Sequence, residues 1–199
     1  TLTVNDNLSC ALVTAVTVNN NAPPVAGITS SINVSCFGGS NGQITASASG
    51  GTPPYSYLWS ASGGQTTVSA TGLPAGTYTV TVSDGNSCSG TATASLTQPS
   101  ALSVLLNAVD ASCNNNNGSA TVTVSGGVSP YSYLWNDPST QTTATATGLY
   151  AGSYSVTVTD SKGCTTSGNI TVNNISAPTA SVSVTDVTFC GNSDGSATA

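Results

Sequence analysis

The fold is decided by a segment that occurs twice: residues 50–60 read GGTPPYSYLWS, and residues 126–136 read GGVSPYSYLWN. A second segment repeats with it, since TGLPAGTYTVTVSDGNSC at 71–88 returns as TGLYAGSYSVTVTDSKGC at 147–164. The cysteines follow the same period of about 77 residues in two series, Cys36, Cys113 and Cys190, and Cys10, Cys88 and Cys164. Self-similarity at a fixed period indicates a repeat architecture.

Prolines punctuate this repeat and define its expected boundaries. They stand at Pro23 and Pro24, at Pro99 and at Pro178. The sequence therefore predicts four parts: the end of a preceding repeat at 1–21, full repeats at 22–99 and 100–177, and the start of a following repeat at 178–199. We expect the chain to be a segment of a longer tandem array.

Each repeat is predicted to be all-β, because short stretches rich in Val, Thr and Tyr alternate with turn signals. The expected strands of the first repeat are 25–35, 43–49, 54–60, 65–70, 77–84 and 91–97, and those of the second lie about 77 residues later. Asn41-Gly42, Asn117-Gly118 and Asp194-Gly195 are expected to close tight hairpins through positive φ. Six or seven strands in a repeat favour an immunoglobulin-like β-sandwich, and tandem sandwiches would form a rod.

The aromatic residues of each repeat fall into two groups. Tyr78 and Tyr154 each follow a glycine corner, as does the tyrosine corner of Greek-key sandwiches. The other six form a set of three in each repeat, and the three alternate along one predicted strand and so share a face. The sets are Tyr55, Tyr57 and Trp59 in the first repeat and Tyr131, Tyr133 and Trp135 in the second. That face could form a shelf for sugar rings or the sandwich core. We expect all eight aromatics in the core, since each repeat otherwise has little large apolar material to bury.

The order of these motifs resembles the SprB repeat of gliding-motility adhesins. A cysteine is followed by Asn-Gly, by Gly-Gly-x-x-Pro-Tyr-x-Tyr-Leu-Trp, by Gly-Leu-x-Ala-Gly-x-Tyr-x-Val-Thr-Val-x-Asp and by a second cysteine. The resemblance implies PKD-type immunoglobulin-like modules in very long proteins of the bacterial cell surface, exported by type IX secretion, that form adhesive or filamentous stalks. The second repeat departs from it by ending in NNISAP at 173–178 where the first ends in Gln98-Pro99, and Asn117 replaces the Asp common before the turn glycine.

The composition excludes most chemistry. The chain of 199 residues has one Lys, seven Asp, no Glu and no His, so general acid–base catalysis has almost no candidates and no enzyme or cofactor is expected. A net charge of −6 without a basic patch excludes nucleic acid, and no apolar run is long enough for membrane insertion. Ser and Thr make up 64 residues, and this uncharged surface indicates an extracellular protein, coated with sugar or packed into an assembly.

Three equivalent aspartates are candidate calcium ligands: Asp6, Asp84 and Asp160, each four residues before a cysteine. Calcium requires six to eight oxygens, usually with several carboxylates, and each position offers one. We therefore favour the alternative that each Asp hydrogen-bonds its own turn, and expect no metal. The Thr-x-Thr runs at 77–81, 91–93 and 143–147 could bind ice or pack against another strand, and Thr is also an ordinary exposed strand residue.

The cysteines are expected to be oxidised in an extracellular chain. In an immunoglobulin-like unit the turn after the first strand, with Cys36, and the turn before the last strand, with Cys88, lie at opposite ends. A bridge within one repeat is therefore disfavoured, because disulfides need Cα atoms within about 7 Å. In a stacked array the sequence instead predicts an inter-repeat bridge between Cys36 and Cys164. The remaining cysteines are expected to bridge to flanking repeats: Cys10, Cys88, Cys113 and Cys190.

The expected function is a structural stalk or filament segment of a long secreted adhesin, stiffened by these disulfides and serving attachment or gliding. The alternative is that each repeat itself binds polysaccharide or another surface. Only Phe37, Tyr150 and Phe189 are aromatic candidates outside the predicted core, and no two share a repeat position, so the stalk is favoured. The expected partners are neighbouring repeats of the same chain, with lateral self-association into fibres and surface polysaccharide as further candidates.

Overall fold

The computed structural model describes residues 2–8, 10–15, 21–61, 63–186, 190 and 195–198. The chain divides into two compact units, Thr1–Pro99 and Ser100–Ala199. The assigned elements are all β-strands, as the alternating pattern predicts. In the described part of the chain, no helix has the length and apolar character of a membrane span.

The first unit contains a six-stranded sandwich and a separate hairpin. The hairpin pairs β1 (Leu2–Asn5) with β2 (Ala11–Thr14). The sandwich strands are β3 (Val25–Ile32), β4 (Gly42–Ser49), β5 (Ser56–Trp59), β6 (Ser69–Leu73), β7 (Gly76–Ser83) and β8 (Ser89–Leu96). One sheet has the order β3-β4-β6 and the other β5-β7-β8, and every pair within them is antiparallel.

The second unit repeats this plan. Its main strands are β9 (Ser103–Val109), β11 (Gly118–Ser125), β12 (Ser132–Trp135), β13 (Thr145–Leu149), β14 (Gly152–Thr159) and β15 (Thr165–Val172). They form the sheets β9-β11-β13 and β12-β14-β15. Two short strands, β10 (Ala111–Ser112) and β16 (Asn174–Ile175), pair in parallel, and a hairpin joins β17 (Ser183–Thr185) to β18 (Ser196–Thr198).

The strand order identifies the sandwich type. In each unit the first, second and fourth main strands form one sheet, and the third, fifth and sixth form the other. This is the arrangement of a constant-type immunoglobulin domain that lacks its strand D. The predicted immunoglobulin-like fold is therefore confirmed.

Each core is built by strict alternation along the strands. On β7, Tyr78, Val80 and Val82 are buried while the intervening threonines face outward. Trp59 and Trp135 are 2% and 1% exposed, and lie in the cores where the sequence placed them. Each indole Nε1–H donates to a loop carbonyl, of Thr67 or Thr143, at 2.9 Å.

Five of the eight predicted core aromatics are only half-buried: Tyr55, Tyr57, Tyr131, Tyr133 and Tyr154. They pack against the cores with their rings and keep their hydroxyls at the margin, where polar atoms find partners. Tyr131 Oη, for example, donates to Gly126 O at 2.7 Å. The tyrosine corner is present in both units, since Tyr78 donates to Pro74 O at 2.9 Å and Tyr154 to Tyr150 O at 3.0 Å.

The Asn-Gly pairs do not close tight hairpins. Neither Gly42 nor Gly118 has a positive φ; each is buried at the start of its strand. A Cβ on Gly42 would lie 2.6 Å from Leu96 Cδ1, and one on Gly118 would lie 2.7 Å from Val172 Cγ1. The glycine is therefore required by close packing against the last strand, and not by turn geometry. The third predicted turn, Asp194-Gly195, begins outside the described residues.

The fourth strand of the sandwich begins later than predicted, at Ser69 and not at residue 65. Gln65 takes the place of a neighbouring strand with its side chain: Nε2 donates to Thr71 O at 2.9 Å, and Oε1 accepts from Thr71 N at 3.0 Å. Gln141 makes the same pair with Thr147. The amide thus covers one peptide group on the edge of the sheet, which would otherwise be open to pairing.

Candidate functional site at the module ends

The two ends of each sandwich carry different sets of turns. In the first unit, the turn between β3 and β4 lies beside the end of β8, because Val34 N donates to Thr97 O at 3.0 Å. The turn between β7 and β8 lies beside the turn between β4 and β5, because Thr52 N donates to Asp84 Oδ2 at 2.9 Å. These two groups of turns are separated by the eight residues of β8, or about 27 Å.

Cys36 and Cys88 lie at these opposite ends. Cys36 is in the turn after β3, and Cys88 immediately precedes β8. A separation of about 27 Å is far beyond the Cα distance of about 7 Å that a disulfide tolerates. The prediction that a bridge inside one repeat is disfavoured therefore agrees with the strand order of the first unit.

The cysteines occur in two chemical states. Cys36 and Cys164 are disulfide-bonded. The others are free cysteines: Cys10, Cys88, Cys113 and Cys190. Cys88 occupies the repeat position of Cys164, and Cys113 that of Cys36, so each free thiol of the two full repeats has a bonded counterpart at the equivalent position.

The turn that leads to Cys88 or Cys164 is held by an aspartate. Asp84 Oδ1 accepts from Asn86 N at 3.0 Å and from Cys88 N at 2.9 Å. Asp160 Oδ1 accepts from Lys162 N and Cys164 N in the same way, and its Oδ2 accepts from Val128 N at 2.9 Å. Each carboxylate thus fixes the backbone of a cysteine and ties its turn to the neighbouring loop.

These contacts lower the pKa of both carboxyls. For Asp84 the largest effect is the hydrogen bond from Thr52 N, which outweighs the opposing effect of burial on the pKa. For Asp160 burial is the largest effect and raises the pKa, but backbone hydrogen bonds led by those of Cys164 and Val128 lower it further than burial raises it. Both groups are held as carboxylates by donors to the charged form.

The surroundings of these aspartates differ from those of a calcium site. Asp6 Oδ1 also accepts two backbone N–H bonds, from Leu8 and Cys10 at 2.9 Å. Calcium is bound by oxygen ligands, whereas the neighbours of all three carboxylates are N–H donors. No group of three or more cysteine or acidic side chains that could hold a metal occurs among the described residues. The geometry matches the alternative interpretation, in which each Asp caps its own turn.

The opposite end carries amide side chains in equivalent roles. Asn41 Oδ1 accepts from Ser35 N at 2.9 Å, and Asn117 Oδ1 accepts from Ser112 N at 2.8 Å. Gln98 Oε1 accepts from Gly38 N at 2.7 Å in the first unit. In the second, Asn174 Oδ1 accepts from Asn114 N at 3.0 Å. The changed ending of the second repeat therefore keeps an amide that caps the cysteine-bearing turn.

Two of the three aromatics expected outside the core are strongly exposed. Phe37 lies beside Cys36 and Tyr150 lies in the turn between β13 and β14. Phe189 lies outside the described residues. Leu58 and Leu134 are also more than half exposed and share a repeat position. The sequence analysis did not single them out, although the alternation that turns the flanking Tyr and Trp inward places the intervening leucine on the outward face.

The sequence analysis also missed Asp137, which is 3% exposed. Its Oδ1 accepts from Gln141 N at 2.9 Å, and its Oδ2 accepts from Ser139 N and from Gln141 Nε2. Burial raises its pKa, but the hydrogen bonds from Gln141 and Ser139 lower it below the ordinary value. An Asp two and four residues before its backbone donors is a turn signal, although the equivalent position in the first repeat is Ala61 and gives no such hint.

The repeated segments also match a known family. Its sequence model, described as SprB repeat, matches residues 28–64 and 105–140. Two stretches of the chain are therefore similar to the SprB repeat. Both matched stretches run from the first sandwich strand through the core tryptophan to the loop that follows it, so the resemblance read from the motifs is confirmed.

Comparisons of whole chains give more distant similarities. No curated protein matches the sequence. The structure of the N-terminal eight Ig domains of Down syndrome cell adhesion molecule isoform 1.30.30 is 13% identical, with a TM-score of 0.37 over 77% of this chain and 25% of that one. The BSP domain of a biofilm associated protein is 17% identical, with a TM-score of 0.26 over 77% and 30% of the two chains. The chain therefore spans about a quarter of the length of the cell adhesion molecule fragment that it matches.

Proposed function

We propose that these repeats form part of the stalk of a long extracellular adhesin on the bacterial surface, where they serve attachment or gliding. The stalk would hold other parts of the protein at a distance and transmit force between them. The observation that carries the proposal is the oxidation state of two cysteines at different module ends: Cys36, in the turn after a first strand, and Cys164, in the turn before a last strand, are both disulfide-bonded.

The bridge that we propose joins Cys36 to Cys164 and so links neighbouring repeats. Supporting it, the strand order separates the equivalent turns of one repeat by about 27 Å, and Cys88 and Cys113, the counterparts within each repeat, are free. We infer that Cys88 and Cys113 play the same role toward preceding and following repeats, which would extend the linkage along an array.

The connection of the first and last strands also suits a chain under tension. In the second unit β10 and β16 are parallel, with Ala111 N donating to Asn173 O at 2.9 Å and Cys113 N to Ile175 O at 2.9 Å. Because β10 continues the first strand, β9, and β16 follows the last strand, β15, a pull that has drawn β9 from β11 loads the β10–β16 hydrogen bonds along the strands and all at once. Val34 N and Thr97 O make the matching bond in the first unit.

Peptide mapping without reduction tests the bridge directly. We expect the peptide of Cys36 to be linked to that of Cys164; linkage of Cys36 to Cys88 would contradict both the bridge and the stalk built on it. Force spectroscopy on the full chain tests the mechanical role. We expect Cys36→Ser to increase the contour length released on unfolding, because the proposed bridge would otherwise shield residues 37–163 from the load. Leu105→Ser, an exposed control away from the cysteines, should leave that length unchanged.

The alternative function, direct binding of polysaccharide by each repeat, has weaker support. The aromatic rings that could stack on sugars are turned toward the cores at Trp59 and Trp135, and the exposed rings of Phe37 and Tyr150 are not at equivalent positions. We therefore place adhesion in the assembly and the stalk function in the repeats.

A further inference from the structure

One face of each sandwich is covered almost entirely by hydroxyl side chains, with one leucine at the same position in both repeats and an amide, Asn169, in the second. It is the outward face of the sheets β5-β7-β8 and β12-β14-β15, and we call it the hydroxyl face. In the first unit it comprises Leu58, Thr77, Thr79, Thr81, Ser83, Ser89, Thr91, Thr93 and Ser95. In the second it comprises Leu134, Ser153, Ser155, Thr157, Thr159, Thr165, Ser167, Asn169 and Thr171.

The hydroxyl face carries no charge. Every charged side chain that the structure describes lies outside the strands: Asp6, Asp84, Asp110, Asp137, Asp160, Lys162 and Asp186. The face also has no aromatic side chain among its residues, so it offers neither an electrostatic contact to a charged partner nor a ring on which a sugar could stack. Its exposed apolar group is the leucine, 55% exposed at Leu58 and 54% at Leu134.

We propose that the hydroxyl face is a lateral docking surface for the same face of a second copy of this chain. A hydroxyl both donates and accepts hydrogen bonds, so two identical hydroxyl faces are complementary, which two faces of like charge could never be. Direct neighbours already pair in this way within the face, since Thr77 Oγ1 lies 2.9 Å from Ser95 Oγ and Thr79 Oγ1 lies 3.2 Å from Thr93 Oγ1. The leucine at the equivalent position of each repeat supplies apolar area to bury.

The size of the face explains why a repeated chain would use it. Two strands of eight residues and one of four cover roughly 300 Å², and a stable interface buries about 800 Å² on each partner. The face of one repeat therefore gives only weak association. The faces of several repeats in one chain would add through multivalency, so that association grows with the length of the array.

The outward face of the other sheet is not repeated in the same way. The pairing of β3 with β4 shifts register between Ile28 and Ser30, whereas β9 and β11 pair without a shift. As a result Ile28 and Leu106, at equivalent positions opposite the second strand, both pack against their cores. The outward neighbour is Gly27 in the first repeat and Leu105, 65% exposed, in the second. A partner that binds both repeats in the same way would therefore bind the hydroxyl face. Leu105 provides a matched control on the other sheet.

Sedimentation velocity over a range of concentrations tests the proposal, after alkylation of the free thiols so that disulfide exchange cannot link copies. We expect the 199-residue chain to associate as its concentration rises, with little dependence on salt because no charges are involved. The double variant Leu58→Asp with Leu134→Asp should need at least tenfold higher concentration for the same association. Leu105→Asp, an equally exposed leucine that gains the same charge, should associate like the unchanged chain.

Two further measurements keep the outcome decisive. Circular dichroism establishes that each variant is folded, and the pair Thr93→Lys with Ser167→Lys, on exposed positions of β8 and β15, repeats the test with the opposite charge. A chain that stays monomeric at all concentrations would overturn the proposal, as would equal loss of association in Leu105→Asp. Retention of a monomeric chain on insoluble cellulose would also overturn it, in favour of a polysaccharide surface.

Discussion

The loop that follows the core tryptophan is built differently in the two repeats, although it closes in the same way. In the first repeat Gly64 N donates to Ala61 O at 3.0 Å, and in the second Thr140 N donates to Asp137 O at 2.9 Å. Both loops then return to the tryptophan, since Trp59 N donates to Gln65 O and Trp135 N to Gln141 O.

The two repeats meet the same backbone requirement by different chemistry. The last residue of the turn has a positive φ in both, 59° at Gly64 and 47° at Thr140. The first repeat uses a glycine, which adopts this conformation without strain. The second places a β-branched residue there and surrounds it with the three hydrogen bonds that Asp137 accepts. The two loops thus share a positive φ at their last residue but differ one residue earlier, where Gly63 has a φ of 90° and its counterpart Ser139 has no positive φ. The second repeat reaches the same closing residue with a buried carboxylate in place of two flexible glycines.

The largest expected effect tests what the two loops share. Trp59→Ala and Trp135→Ala should each destabilise their own unit by about 3–5 kcal/mol, because each removes a buried indole from the core. The free energy of unfolding of each unit is measured by urea unfolding followed by circular dichroism. Equal losses in the two units would show that the repeats differ in the turn and not in how the tryptophan packs. A loss below about 1 kcal/mol at either position would contradict the core assignment.

Removal of the Asp137 carboxylate should destabilise the second repeat and leave the first unchanged. Asp137→Ala leaves the N–H groups of Ser139 and Gln141 without their acceptor and should destabilise the second unit by about 2–3 kcal/mol. Unfolding in a Trp59→Phe background, where Trp135 is the remaining indole, measures that unit. Asp137→Asn is the matched control, because it keeps the shape of the side chain and one acceptor oxygen but replaces the other oxygen with a donor. A loss as large as that of the alanine variant would show that the second acceptor oxygen or its charge is responsible, whereas an unchanged stability would contradict the role given to the carboxylate.

Exchange of the residues with positive φ should give effects of opposite sign. Gly64→Thr should cost about 1–2 kcal/mol, for conformational reasons alone, since a Cβ there meets only Leu58 Cδ1 at 3.8 Å. Thr140→Gly should stabilise the second unit by up to about 1 kcal/mol if its strain exceeds the entropy of the added glycine. Thermal unfolding of both variants measures the pair, and stabilisation of the first unit by Gly64→Thr would contradict the account of the turn.

The smallest expected effect is a difference between the two units in the stability that each loses at low pH. A carboxyl with a lowered pKa stabilises the fold fully above its unfolded pKa of about 3.9, and this contribution is lost as the pH falls through the folded value. Asp84 and Asp160 have lowered pKa values in both units, whereas Asp137 adds a third such group in the second unit only. Below about pH 4 the second unit should therefore lose more stability than the first.

The same comparison measured in the Asp137→Asn variant serves as its control. The asparagine does not titrate, so the excess acid sensitivity of the second unit should disappear while that shared by both units remains. Persistence of the excess would contradict its assignment to Asp137.

Several features were predictable because they depend on contacts close in the chain or on simple alternation. Val80 and Val82 alternate with threonines, and period two determines which side faces the core. Tyr78 reaches a carbonyl only four residues back, and Asp84 caps N–H groups two and four residues ahead. A short loop of chain fixes each of these interactions whatever the rest of the sandwich does.

Other features could not be predicted from the local pattern, because they depend on how the chain packs or occur in one repeat only. Gly42 reads as a turn glycine, but the atoms that require it belong to Leu96, more than fifty residues later. Gln65 reads as the start of a strand, but its amide pairs with the backbone of Thr71 once the loop has folded over the tryptophan. Asp137 has no counterpart in the first repeat, so periodicity could not reveal it.

The sequence by itself determined the repeat, the sandwich and the buried tryptophans, because period, alternation and scarcity of large apolar residues leave few other ways to build a core. Only the tertiary structure decided which glycines are packing requirements, which amides and carboxylates close the loops, and how the outward residues of β5, β7 and β8 combine into one uncharged face. Those properties depend on which strands become neighbours, and a local pattern of residues does not specify the atoms that a distant strand will bring beside it.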